Sequence, residues 1–96
     1  MDSFPFDTNA LIEICRRNDV SMVGVFGSMA RGEASAKSDI DLLVRFSGDK
    51  SLLALVAFER QLAAAMGRKV DVLTESALSP YLRDRILRDL KVIYEA

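Results

Sequence analysis

The sequence predicts an α/β domain in which helices pack a small sheet of three to four strands. Two observations predict it: short β-type runs alternate with helical runs, and the helical runs carry apolar residues at helical spacing. No linker, low-complexity stretch or internal repeat divides the 96 residues. Alternating helices and strands pack in layers around one sheet, so we expect a single domain over residues 1–96. The alternation leaves the strand directions open.

The first third of the chain predicts a helix, a strand and a helical turn. Asp7 or Thr8 can cap a helix that ends near Arg17, because their side chains accept hydrogen bonds from free amides at a helix start. The run Ser21–Phe26 is β-type and stops at a Gly-Ser pair, a common strand terminator. A brief helical turn over Met29–Arg31 then leads into a polar loop.

The middle third predicts a strand and a long helix. Asp39–Phe46 alternates between polar and apolar residues at its start, as a strand does. Asp49 or Ser51 caps a helix that runs to about Met66 and is closed by Gly67. This helix is apolar almost all round, so it is either the central core helix or part of an interface. The core interpretation is the more common one for such a helix.

The last third predicts a strand, a helix and an edge strand. Lys69–Thr74 is β-type. Ser79 and Pro80 are typical of the cap and first position of a helix, and leucine or isoleucine then recurs every fourth residue. The arginines of this helix form either a solvated face or a docking face. Lys91–Tyr94 adds a fourth strand at an edge.

Composition excludes several classes of function. The chain has no histidine, and Cys15 is its only cysteine, which excludes a His-based triad, a Cys/His zinc site and an internal disulfide. Cys15 lies in a helical apolar pattern, so we expect it in the core. With 13 Lys and Arg against 14 Asp and Glu, the net charge of -1 gives no general field that could hold a nucleic acid.

Hydropathy sets expectations for location and surroundings. The longest apolar run, Leu52–Phe58, is far shorter than the ~20 residues that span a bilayer, and the N-terminus lacks the basic segment of a signal peptide. We therefore expect a cytoplasmic protein without membrane contact. Hydrophobic residues make up 50% of the chain, which is high for so small a domain, so we expect a partner chain to cover one apolar face.

Three aspartates carry the strongest chemical signal. Side chains alternate along a strand, so Asp39 and Asp41 point to one face. Two carboxylates about 5 Å apart repel by roughly 3 kcal/mol at an effective dielectric near 20, a cost that calls for a function. Asp71 interrupts another β-type run, and a neighbouring strand would bring it to the same patch. Carboxylates without histidine or cysteine favour Mg²⁺ or Mn²⁺, which take phosphate oxygens as further ligands.

A glycine and a serine at the end of the first strand suggest a phosphate contact. Gly27 allows close approach of the backbone, and the Ser28 hydroxyl can bind a phosphate oxygen. A Gly-Ser pair after a strand is a common turn, so this pair alone is weak evidence. The connection to the next strand is short, however, which places the pair beside the acidic residues.

The segment GSMARGEASAKSDIDLLV, residues 27–44, resembles the signature of the DNA polymerase beta-like nucleotidyltransferase superfamily. The full string resembles the minimal nucleotidyltransferase (MNT) group, antitoxins encoded beside HEPN-domain toxins. Asp71 falls where the family places its third carboxylate. Arg45 departs from the pattern, because acidic residues are frequent there in relatives. The resemblance covers nearly the whole chain and implies the nucleotidyltransferase fold, with a mixed sheet.

What the resemblance implies is transfer of AMP from ATP to a tyrosine hydroxyl of a HEPN toxin, with release of pyrophosphate. The modification would silence the RNase activity of the toxin, with which the chain would form a hetero-oligomer. Asp39 and Asp41 would hold two Mg²⁺ ions, with Mn²⁺ as an alternative, and Asp71 would bind the catalytic one and help deprotonate the hydroxyl. Gly27 and Ser28 would hold the leaving pyrophosphate.

Three basic residues and two other functions stay open. Arg31 could neutralise the triphosphate, and so could Arg68 and Lys69, but each is also typical of a solvated surface. A non-catalytic antitoxin would block the toxin by binding alone. A small-molecule nucleotidyltransferase, such as one that modifies an aminoglycoside, would act without a partner but needs a substrate pocket that a chain of this length hardly provides.

Overall fold

A computed structural model describes residues 4–35 and 37–96 of the chain. The predicted α/β class is confirmed: helices pack a mixed sheet of four strands in the order β3-β2-β1-β4. The start of the expected domain, residues 1–3, lies outside the described residues. The elements are α1 Thr8–Arg17, β1 Val20–Phe26, α2 Ser28–Arg31, β2 Ile40–Phe46, α3 Leu52–Met66, β3 Val70–Thr74, a 3-10 turn Glu75–Ala77, α4 Pro80–Asp89 and β4 Lys91–Glu95.

Side-chain caps begin the three long helices, as the sequence predicts. Asp7, Ser51 and Ser79 each accept a hydrogen bond from the backbone amide three residues later, at 3.0, 3.1 and 3.3 Å. Pro80 takes the first position of α4. Gly67 ends α3 in the left-handed conformation, with φ +70°, which a glycine adopts without steric cost. Local chemistry therefore fixes where these helices begin and where α3 ends.

The strands pair in both directions, and the bounds differ from the predicted ones by one residue. Strand β1 pairs antiparallel with β2 and with β4, which is the predicted edge strand. Strand β3 runs parallel to β2, and α3 makes the crossover that parallel neighbours require. Asp39 and Lys69 lie directly before β2 and β3 instead of inside them.

Two apolar clusters cover the two faces of the sheet. Helices α1 and α3 pack on one face, where Leu11, Cys15, Phe58 and Leu62 meet the inward side chains of the strands. Helix α4 packs on the other face, where Ile86 meets Met22 and Leu43. Residue Leu43 lies two positions after Asp41, so strand alternation puts the Asp41 side chain on the α4 face.

Helix α3 differs from the favoured prediction that it is a central core helix. Only Phe58 and Leu62 of this helix are fully buried, whereas Leu52 and Leu53 are 76% and 83% exposed. The helix touches the sheet and α1 with one side, so an all-round apolar sequence leaves apolar residues on the surface. The alternative interpretation, a helix that is partly available to an interface, therefore describes its outer side.

Cys15 is confirmed as a core residue. Its side chain is completely buried in the cluster on the α1 face, and burial raises the pKa of its thiol to about 12. A thiol that stays protonated is a poor nucleophile. Within residues 4–35 and 37–96, no helix is long and apolar enough to cross a membrane.

Replacing Phe58 with alanine should lower the free energy of unfolding by about 3–5 kcal/mol, as large-to-small changes at buried aromatics do. The Phe58 ring is buried and meets the Phe46 ring edge-on, with 5.6 Å between the centroids. Urea unfolding measures the loss. Leu53→Ala, in the exposed first turn of the same helix, is the control and should change the free energy by less than about 1 kcal/mol. Equal losses in both variants would contradict one-sided packing of α3.

Candidate functional site

The parallel register of β2 and β3 brings the predicted carboxylates together. Asp41 lies directly opposite Asp71, one residue after the pair Ile40 and Val70. Asp39 lies directly before β2 and two residues before Asp41, so the two side chains point to the same face. Asp41 and Asp71 share the face that α4 partly covers. The condition on which the metal hypothesis depends, that the strand of Asp71 neighbours that of Asp41, is met.

The three carboxylates act on one another electrostatically. The pKa of Asp41 is raised, first because burial removes water from its carboxylate, then because of the negative charges of Asp71 and Asp39. The positive charges of Arg31 and Lys69 oppose this rise but do not cancel it. The site therefore has excess negative charge, which a bound cation would relieve.

Gly27 lies against the carboxylate of Asp41. It follows β1, whose last residue Phe26 is the register partner of Asp41. A Cβ atom added at Gly27 would collide with Asp41 Oδ2. The backbone of Gly27, with φ +73° and ψ -152°, also lies in a region that is essentially restricted to glycine. The predicted phosphate contact is thus adjacent to the acidic group.

Ser28 begins α2 directly after this glycine. Its side chain is half-buried, and its backbone carbonyl accepts the amide of Glu33 at 3.0 Å. That bond, with those from the amides of Ala30 and Arg31 to the Gly27 carbonyl, holds the turn in shape. The two residues predicted to bind a leaving phosphate group therefore sit on a turn ordered by its own backbone.

The donor set fits a hard divalent cation. Its members are carboxylate oxygens, the ligands that Mg²⁺ and Mn²⁺ prefer, and burial, followed by the charges of Asp71 and Asp39, raises the pKa of Asp41. Among the described residues, however, no three potential ligand side chains converge closely enough to form a ready metal centre. The carboxylates are neighbours whose oxygens do not yet meet at a single point.

Arg31 lies near the site but pairs elsewhere. Its guanidinium contacts Asp89 at 3.1 Å and Glu33 at 3.2 Å, which ties α2 to the end of α4. The positive charge of Arg31 offsets part of the rise in the pKa of Asp41, so Arg31 is close enough to act on that carboxylate. The predicted contact with a triphosphate stays a prediction.

Arg68 and Lys69 differ in what they contact. Arg68 donates to the backbone carbonyl of Ser38 at 3.3 Å, which supports the loop that leads into β2. Lys69 points its ammonium between the carboxylates of Asp39 and Asp71, at 3.9 and 3.8 Å. The sequence leaves these two adjacent residues with the same alternatives, but the structure places them differently, and of the two only Lys69 contacts the acidic group.

Glu59 is a positioning residue that sequence reasoning missed. It belongs to α3, and its half-buried carboxylate accepts a hydrogen bond from the backbone amide of Val72 at 3.1 Å. Strand β3 is an edge strand, so this bond satisfies an amide that has no strand partner and holds the residue after Asp71. Nothing in the sequence around Glu59 signals this contact, because the partner lies 13 positions away.

Arg45, the departure from the family pattern, lies at the other end of β2. Its guanidinium makes a bidentate contact with the Glu75 carboxylate at 3.1 and 3.3 Å and an ion pair with Glu95 at 3.5 Å. A groove of about 770 Å³ opens near it, between the carboxyl ends of β2 and β3 and α4. The carboxylates lie at the amino ends of the same strands, so they stand on an open face, apart from this groove.

Comparison with known proteins places the chain among nucleotide-transferring enzymes. Residues 9–96 match the family described as Polymerase beta, Nucleotidyltransferase. A protein adenylyltransferase of Thermococcus cleftensis named MntA is 40% identical over 78 residues, which is 81% of this chain and 79% of that protein. A Methanocaldococcus jannaschii protein, provisionally named a protein adenylyltransferase, is 44% identical over 79 residues, 82% and 85% of the two chains.

Two solved structures share the fold. A toxin-antitoxin crystal structure with AMP-PNP, an ATP analogue, matches with a TM-score of 0.84 at 24% identity, covering 94% of this chain and 74% of the other. A tri-AMPylated Shewanella oneidensis HEPN toxin in complex with an MNT antitoxin gives a match with a TM-score of 0.73 at 22% identity, covering 92% and 69%. At these identities the likeness establishes the fold.

Replacing Asp41 with asparagine should raise the melting temperature of the metal-free protein at pH 7. A pKa raised by folding means that the folded state binds this proton more tightly than the unfolded state. Stability is therefore lost as pH rises from the ordinary value of 3.8 through the raised pKa of Asp41, and the variant removes that loss. Each ~1 kcal/mol relieved should raise the melting temperature by about 4–8 °C. Calorimetry in EDTA measures it.

The control for this variant is Asp49→Asn, which changes the net charge equally at an exposed loop position after β2. We expect its melting temperature to stay within about 2 °C of the unmodified protein. The gain of the Asp41 variant should shrink as the pH approaches 4. A melting temperature that falls at pH 7 would show that the Asp41 charge is stabilised by its surroundings.

Replacing Gly27 with alanine should destabilise the protein more than replacing Gly32. Both glycines have φ +73°, but Gly32 is left-handed with no atom within 4 Å of an added Cβ, so Gly32→Ala should cost about 1–2 kcal/mol. Gly27→Ala adds the contact with Asp41 and a ψ closed to other residues, so we expect about 1 kcal/mol more. Urea unfolding compares the two, and equal costs would rule out a close contact of Gly27 with the carboxylate.

Proposed function

The chain belongs to the polymerase beta nucleotidyltransferase family, and from that premise we propose that it is a metal-dependent protein adenylyltransferase. Its substrate is ATP, and its acceptor is a tyrosine hydroxyl of a HEPN-domain toxin, so that it acts as the antitoxin of a pair. The single observation that carries the proposal is the placement of Asp39, Asp41 and Asp71 together, with Gly27 against the Asp41 carboxylate.

The proposed reaction breaks a phosphoanhydride bond of ATP and forms a phosphate ester bond at the same phosphorus. The tyrosine oxygen bonds to the α-phosphorus of ATP, the bond from that phosphorus to the bridging oxygen of the β-phosphate breaks, and pyrophosphate leaves with that electron pair. The hydroxyl proton passes to the carboxylate of Asp71. Two Mg²⁺ or Mn²⁺ ions, when bound by Asp39, Asp41 and Asp71, supply positive charge that offsets the charge of the phosphates and activates the hydroxyl.

The residues of the first turn then bind the part of ATP that leaves. The Gly27 backbone can approach a phosphate closely, because no Cβ stands between it and the carboxylates. The Ser28 hydroxyl supplies a second contact to the pyrophosphate. Arg31 can add positive charge beside the pyrophosphate if its guanidinium leaves Asp89, or if it contacts Asp89 and the pyrophosphate together.

The open face around the carboxylates favours a protein acceptor. Side chains of Asp39 and Asp71 are 44% and 43% exposed, and the groove beside Arg45 lies at the opposite ends of their strands. A tyrosine on a partner surface can reach such a face, whereas a small acceptor needs an enclosing pocket. The names of the relatives, a protein adenylyltransferase and an MNT antitoxin beside an AMPylated HEPN toxin, support the same acceptor.

Four further features complete the proposal. The chain works as one minimal nucleotidyltransferase domain over residues 1–96, in the cytoplasm, as a hetero-oligomer with its toxin. It makes no direct contact with nucleic acid. The exposed apolar residues of α3, among them Leu52, Leu53 and Val56, provide surface that a partner chain can cover.

Incubating the chain with ATP, Mg²⁺ and the HEPN protein encoded beside it should add one or more AMP units to a toxin tyrosine. Intact-mass and peptide mass spectrometry measure the addition. EDTA should abolish it, and Asp41→Asn should lower its rate by about 10²–10³-fold, as the loss of a group that stabilises developing charge does. Asp49→Asn should leave the rate within about twofold, because Asp49 lies outside the acidic group.

Two outcomes would contradict the proposal in different ways. If the double variant Asp39→Asn with Asp41→Asn neutralises the toxin as well as the unmodified chain does, the antitoxin acts by binding alone. If AMP appears on a small molecule such as an aminoglycoside when the toxin is absent, the acceptor is not a protein.

A further inference from the structure

Lys69 completes the charged group around the carboxylates. Its carbonyl accepts the backbone amide of Ile40 at 3.0 Å, which fixes its main chain beside the start of β2. The parallel register, continued by one residue, places Lys69 opposite Asp39 just as Asp71 lies opposite Asp41. Because side chains alternate, all four point to one face. They form a two-by-two square with three negative corners and one positive corner.

The ammonium of Lys69 is held loosely between two of these carboxylates. It lies 3.9 Å from Asp39 Oδ2 and 3.8 Å from Asp71 Oδ1, near the limit for an ion pair and beyond a good hydrogen bond. Its side chain is 70% exposed, and exposed ion pairs of this kind contribute little to stability. The long, flexible stem can therefore move the charge away at small cost.

The two neighbouring arginines have other partners. Arg68 contacts the Ser38 carbonyl, and Arg31 pairs with Glu33 and Asp89. Lys69 is therefore the side chain that is placed to compete directly with a cation for Asp39 and Asp71.

We infer that Lys69 is an internal counter-ion that competes with the divalent metal for Asp39 and Asp71, and thereby weakens metal binding by the nucleotide-free protein. A Mg²⁺ ion would take carboxylate oxygens at about 2.0–2.1 Å, so a metal on Asp39 and Asp71 would lie close to the Lys69 ammonium, and the two positive charges would repel each other. The inference rests on the proposed function for the presence of a metal. A triphosphate attracts both cations, so its arrival favours the displacement.

Measuring Mn²⁺ binding without nucleotide tests the inference. Electron paramagnetic resonance counts free Mn²⁺ during a titration of the full chain. Lys69→Met should lower the Kd for Mn²⁺ by about fivefold to tenfold, because it removes the competing charge and keeps the length of the side chain. Lys69→Arg should keep the Kd within about twofold of the unmodified chain, because it keeps the charge.

Arg68→Met is the matched control for net charge, because it removes the same charge one position earlier without touching a carboxylate. We expect its Kd to fall by less than about twofold. In an Asp71→Asn background, where one of the two shared carboxylates is gone, Lys69→Met should have a smaller effect than in the unmodified chain. Mn²⁺ should also raise the melting temperature more in Lys69→Met, which shows that the variant is folded.

Equal Kd values for the unmodified chain and Lys69→Met would overturn the inference, and so would an equal effect of Arg68→Met. Absence of Mn²⁺ binding by both the unmodified chain and Lys69→Met would overturn it too. These results are independent of the AMP-transfer assay. Unchanged Kd values with AMP on the toxin reject only the inference, whereas tighter Mn²⁺ binding by Lys69→Met with no AMP on the toxin rejects only the proposed function.

Discussion

The parallel pairing of β2 with β3 is the constraint on which the site depends. It sets Asp41 directly opposite Asp71, a placement that like charges disfavour unless something else fixes it. The pairing is fixed from outside the site: α3 makes the crossover between the strands, Ser51 and Gly67 define its ends, and Glu59 holds the edge strand by a backbone amide. The carboxylates are therefore held together by contacts outside the site, and not by interactions among themselves.

This arrangement makes the site electrostatically unfavourable in the metal-free chain. Burial and two neighbouring carboxylates raise the pKa of Asp41, while Lys69 and Arg31 offset part of that rise. Such a balance is typical of sites that are prepared for a cation, because the repulsion present in the free protein is relieved on binding. A small domain has only several kcal/mol of stability, so the cores on both faces of the sheet must carry this cost.

The surface of the chain also bears on the proposed function. The carboxylates stand on an open face next to α4, and α3 exposes apolar side chains on the other side of the sheet. A protein acceptor would bring its own enclosing surface to the face with the carboxylates, and it could cover part of the apolar surface of α3. This surface agrees with the proposed function, in which the partner supplies the walls around the carboxylates.

Local interactions made much of the fold readable in the sequence, and long-range contacts decided the rest. The caps Asp7, Ser51 and Ser79 bind amides three residues away, so a short segment contains all of their chemistry. Strand alternation likewise places Asp39 and Asp41 on one face. Asp71 joins them only because β3 pairs with β2, 30 residues distant. The register of that pairing also matters, since a shift by one residue would turn the Asp71 side chain to the other face.

The one-sided packing of α3, the pairing of Arg31 with Asp89 and the position of Lys69 also depend on long-range contacts. Each depends on which segments become neighbours in space, and that is settled by packing of the whole chain around the sheet.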